Sequence, residues 1–85
     1  MAIEHLPQRF RWVSAGYSRW KYGTVVYNCT HETWELHTFG LHPMDMCLYL
    51  REVETRLSKL IGDVSKFEWI DNDLGFKPIE KAGGS

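Results

Sequence analysis

Nowhere in this 85-residue chain does an apolar run approach the roughly 20 residues that cross a bilayer as a helix. The first dozen residues, MAIEHLPQRFRW, also lack the apolar stretch of a secretion signal. A transmembrane helix is excluded on these grounds, no membrane partner is expected, and a cytoplasmic location is. Cysteine is scarce: Cys29 and Cys47 are the only two. Two thiols without a secretory signal read as reduced side chains, not as a disulfide framework. A strong charge of one sign is missing too. Among residues 1–28, Arg9, Arg11, Arg19 and Lys21 face only Glu4, a balance of +3, against −4 for the rest of the chain. That excludes an acidic nucleic-acid mimic and an overtly basic nucleic-acid binder alike. There is no glycine-rich phosphate loop, no dinucleotide fingerprint and no internal repeat.

What the chain does have is bulk. Four Trp, four Tyr and four Phe supply the large buried areas that a chain this short needs to overcome its conformational entropy. Length allows one core, so residues 1–81 are expected to form a single domain, with AGGS (82–85) as a flexible tail.

Three segments alternate with the period of a strand. In QRFRWVSA (8–15), Phe10 and Trp12 point one way, Arg9 and Arg11 the other. RWKYGTVVYN (19–28) is rich in β-branched and aromatic residues, with Gly23 expected as a bulge or kink. WELHTF (34–39) follows the polar CTHET loop, so a three-stranded antiparallel meander is the simplest reading. A helix is expected over 43–61. Pro43 stands at a first helical position and Gly62 follows the end, while Met46, Leu50, Val53, Leu57 and Leu60 recur at spacings of 4, 3, 4 and 3. VSKFEWI (64–70) alternates again as a fourth strand, and FKPI (76–79) reads as a short edge segment because Pro78 cannot donate to a ladder. The predicted fold is α+β, in the order βββαβ, with one amphipathic helix packed on the sheet.

Both cysteines and three of the four histidines fall within 25–47, which raises the question of a metal site. A small zinc-binding domain would draw on Cys29, His31, His42 and Cys47. Their spacing contains no paired knuckle of the C-x₂-C kind, and His37 lies mid-strand, so no metal and no cofactor is expected. Cys47, placed near a helix N-terminus, would carry a lowered thiol pKa. Asp71-Asn72-Asp73 opens like a calcium loop, but Phe76 and Ala82 stand where that loop needs glycine and glutamate. An enzyme is not expected. The nearest catalytic reading is a small nuclease with His31 or His37 as base and Arg9 or Arg11 at phosphate, and no flanking signature supports it.

Function is expected among the bulky residues that the core does not consume. Tyr17, Trp20 and Tyr22 interleave with Arg19 and Lys21, close to Arg9 and Arg11. Aromatic residues and arginine dominate protein interfaces. The same mixture serves single-stranded nucleic-acid platforms, so a nucleic-acid binder using residues 9–22 is the alternative. Met44 and Leu48 are expected as a second apolar patch on the outer helix face, fit for a partner or a homodimer. The leading expectation is a small intracellular protein-binding module, an inhibitor or adaptor acting by occlusion. Compact cofactor-free chains of this size are common among phage and mobile-element accessory proteins, which act in the host cytoplasm.

Overall fold

Alternation decides most of the architecture. The computed structural model describes residues 6–40 and 44–79. In chain order it contains β1 (Gln8–Ser14), β2 (Lys21–Asn28), β3 (Thr33–His37), β4 (Asp45–Cys47), α1 (Val53–Ile61) and β5 (Val64–Trp69). The strands form one antiparallel sheet in the order β4-β3-β2-β1-β5. Phe10 and Trp12 of β1 stand opposite Trp69 and Phe67 of β5, and Val25 of β2 stands opposite Leu36 of β3. These residues share the face that α1 covers with Val53, Leu57 and Ile61. Phe10, Trp12, Val25, Leu36, Val53 and Leu57 are fully buried. At about 1.5–3 kcal/mol for each such side chain, this layer is the main favourable contribution to folding. Part of it is offset, because the buried Trp12 Nε1 and Thr33 Oγ1 lack hydrogen-bond partners among the described residues, each at about 1–3 kcal/mol.

The three-stranded meander and the α+β class hold; the sheet, however, has five strands, and the helix is half the length expected. Residues 45–47 pair with Leu36–Trp34 instead of coiling. The reason is tertiary. Without β4, the outer edge of β3 would leave its backbone groups unpaired, and in a strand Cys47 turns inward beside Trp34 while Met46 turns out. The apparent helical spacing of Met46 and Leu50 is therefore a coincidence, and both are exposed (45% and 37%). A single 3₁₀ turn (Leu50–Glu52) leads into α1, entered where the Tyr49 backbone N–H donates to Glu52 Oε1 at 3.2 Å. The expected start at Pro43 lies outside the described residues, as does the expected tail at 82–85. At the other end the reading was sound: Gly62, at φ +71°, stops α1, and its N–H reaches the Ser58 carbonyl oxygen.

Two further expectations change. Gly23 is no bulge; it pairs regularly with Phe10. A Cβ there would collide with the Phe10 ring and the His37 carbonyl oxygen, so glycine is required for close approach. The register shift falls instead between β1 and β5, at Val13/Ser14. FKPI is not an edge strand. It forms an irregular strap that carries Phe76 and Ile79 into the core, fixed by Trp69 Nε1 donating to the Lys77 carbonyl oxygen (3.1 Å) and by Phe76 stacking on Trp69.

Candidate functional site

With α1 and the strap on one side of the sheet, the side chains of opposite parity form a face that no helix covers among the described residues. Register arranges them in rows across the strands. Glu68, Arg11 and Tyr22 form one row; Arg9, Thr24 and His37 a second; Val26, Glu35 and Met46 a third. The face is apolar at one end and charged at the other. Tyr22 (45%), Phe39 (66%), Met44 (43%) and Met46 (45%) are exposed there.

Two shallow clefts cut into it. One, of about 480 Å³, is lined by Thr24, Val26, His37, Phe39 and Met44. The other, of about 360 Å³, is lined by Arg19, Trp20, Lys21, Tyr22 and Phe39. Phe39 is the wall between them. Its backbone lies in the left-handed region (φ +50°), followed by Gly40 at φ +87°. A bulky residue in that region is strained, and such strain persists where the surrounding structure requires it.

The basic residues are largely engaged. Arg9 pairs with Asp71 through two hydrogen bonds, which hold the Asp71 carboxyl below its usual range. Arg11 Nη2 sits 2.7 Å from Glu68 Oε1, and its guanidinium lies 4.0 Å over the Trp20 ring. The hydrogen bond that Arg11 donates to the Tyr22 oxygen, then the one to Glu68, keeps Arg11 firmly charged. Lys21 lies 4.9 Å over Tyr17, which is itself 69% exposed, and donates to Ser14 Oγ at 3.0 Å. Arg19 is exposed and has no ion-pair partner among the described residues.

Behind the larger cleft, His37 Nε2 meets Glu35 Oε1 at 3.0 Å, and Asn28 Nδ2 donates to Glu35 Oε2 at 2.9 Å. The Asn28 bond, then the His37 bond, lowers the Glu35 pKa. This carboxylate orients the imidazole beside the cleft. Of the two threonines that line that cleft, Thr24 donates its hydroxyl to the Gln8 carbonyl oxygen at 3.3 Å, and the His37–Glu35 pair provides a polar anchor beside it.

The residues singled out from sequence fare unequally. Arg9, Arg11, Tyr22 and Met44 do gather on this face, and Arg19 and Trp20 line its smaller cleft. Lys21 lines that cleft too but stands opposite Trp12 in the register, with Tyr17 against it. Trp20 is more enclosed than expected, because Arg11 covers it. Met44 and Leu48 do not share a helix face, since no helix runs there; Leu48 (63% exposed) follows β4 and lines neither cleft. The residues missed are Phe39, Met46 and Glu35, while His37 is expected only as the base of the nuclease reading. The dipeptide Phe39-Gly40 was the available signal, since an exposed turn favours left-handed backbone there.

The zinc alternative finds no geometry. Among the described residues no three His, Cys, Asp or Glu side chains gather where they could hold a metal. Cys29 and His31 are exposed in the β2–β3 turn, whose bend is fixed by Asn28 Oδ1 accepting from the Thr30 and His31 backbone N–H groups. Cys47 is buried on the far face, and His42 lies outside the described residues. The thiol pKa of Cys47 is raised, by burial first and by Glu52 second, the reverse of the shift expected from a helix N-terminus. Compared with family models, with curated proteins and with solved structures, the chain matches none.

Proposed function

We propose that this chain is a protein-binding module that works by occlusion, docking through the helix-free face of its sheet. The observation that carries the reading is the concentration of Tyr22, Phe39, Met44 and Met46, all at least 43% exposed, on one face where Arg9 and Arg11 are already matched by carboxylates and Arg19 is left to meet a partner. Apolar surface of this kind, rimmed by polar groups, marks contact sites. Aromatic residues give large contact area at small entropic cost. The partner surface that fits is apolar at its centre, with a carboxylate within reach of Arg19.

Nucleic acid fits less well. Arg9 and Arg11 are neutralised locally, and the Trp20 and Tyr17 rings each have a cation over one face, where a base would stack. The two readings separate on salt. Affinity resting on phosphate contacts falls steeply as salt rises, whereas an aromatic-centred protein contact weakens little. The test immobilises the chain, captures its partner from a lysate of its source cells with and without nuclease, and measures the affinity of the purified partner across salt concentrations. A nuclease-resistant protein with a shallow salt dependence is expected. A nuclease-sensitive partner with a steep dependence overturns the proposal in favour of nucleic acid.

A further inference from the structure

β5 is an edge strand, and among the described residues its outer side is unpaired. The Ile70 N–H reaches the Arg9 carbonyl oxygen at 2.8 Å, which sets the parity: Ile70, Glu68 and Lys66 turn their backbone groups toward β1, and Phe67 and Trp69 turn theirs outward. Among the described residues no backbone group bonds to that outer side. The strap does not cover it, since Phe76 and Ile79 run beneath the sheet into the core.

We propose that this edge pairs with β5 of a second copy of the chain, antiparallel about a two-fold axis at Phe67, joining two sheets into one. The choice of occupant rests on charge. Among the two-fold registers that align the outward-turned groups, three set the charges of Lys66 and Glu68 against one another or against themselves. Centring on Lys66 sets lysine against lysine; centring on Glu68 sets glutamate against glutamate. Centring on Phe67 sets Lys66 opposite Glu68 twice, once on each side of the axis, in the closely spaced non-hydrogen-bonded positions where side chains interact best. Only the last is complementary.

The side chains are prepared for it. Lys66 is exposed and has no ion-pair partner among the described residues. Glu68 uses only Oε1 for Arg11, which leaves Oε2 for the incoming lysine. On the other face Phe67 and Trp69 are half-buried members of a ring cluster with Phe10, and the second copy's Phe67 extends that cluster across the axis. The same alternation of Lys66 and Glu68 discourages unrelated strands, which meet an unmatched charge on either side.

Sedimentation equilibrium of the full chain over a wide concentration range tests this. The unaltered chain is expected to dimerise as concentration rises. Lys66→Glu and Glu68→Lys each replace two attractive cross-strand pairs with two repulsive ones, so each is expected to weaken the dimer on the order of tenfold or more. Mixed together, those two variants become complementary at both positions and are expected to form a heterodimer as tight as the original. Circular dichroism checks that each variant is folded, and Lys66→Glu removes no intramolecular bond. A chain that stays monomeric at every concentration overturns the proposal, and so does a dimer that either charge reversal leaves unchanged.

Discussion

The Arg11 guanidinium lies 4.0 Å over the Trp20 ring while its Nη2 holds Glu68 Oε1 at 2.7 Å, so one cation ties the β1–β2 turn to β5 across the open face. Replacing Arg11 with Ala uncovers Trp20. Since Trp12 and Trp34 are buried and Trp69 is half-buried on the opposite face, acrylamide quenching of tryptophan fluorescence reads the change at Trp20, and a steeper quenching slope is expected for the variant. Arg11→Lys, which keeps the charge but not the planar stack, is expected to fall between the two.

Gly23 faces the Phe10 ring and the His37 carbonyl oxygen with no room for a methyl group. Gly23→Ala must push apart β1, β2 and β3 at once. A loss of about 3 kcal/mol or more is expected in urea unfolding, larger than for ordinary overpacking because a backbone atom is one of the obstacles.

The two thiols report the corrected position of the helix. Cys29 is exposed, and Cys47 is buried with its pKa raised. A disulfide reagent at neutral pH is expected to modify one thiol per chain quickly, and the second only on unfolding. Cys29→Ser should abolish the fast phase.

Glu35 supplies a pH signature. Hydrogen bonds from Asn28 and His37 make its carboxyl more acidic in the folded chain than in the unfolded one. Such a group stabilises the fold above the ordinary carboxylate pKa, and that contribution is lost as pH falls through the lowered folded value. Glu35→Gln is therefore expected to melt below the unaltered chain at neutral pH, with the gap closing in acid. Melting curves at several pH values check it.

Strands carried by two large inward residues were readable in advance. Phe10 with Trp12, and Phe67 with Trp69, alternate so plainly that the inward face of each strand follows from them, whereas the partner and register of β5 are set only by the fold. β4 was hidden for a physical reason: three residues are too few to display a period, and Met46, Leu50 and Val53 happen to fall at helical spacing. Only the unpaired edge of β3 decides the matter, and that edge does not exist until the sheet has formed. The site was half legible for the same reason. Tyr22, Trp20 and Arg19 announce themselves by composition. Phe39 does not, because its exposure depends on a left-handed turn placing it between two clefts, and Met46 was assigned to the core by the spurious helix.

Everything proposed about function depends on Tyr22 and Phe39 being the anchors of a protein contact. The direct measurement is calorimetric titration of the captured partner into the unaltered chain and into a Tyr22→Ala/Phe39→Ala double variant, with Lys59→Ala on the far side of the fold as control. Removing two central aromatic anchors is expected to weaken binding at least about thirtyfold, with the control unchanged. A double variant that is folded and binds as tightly as the unaltered chain contradicts the account.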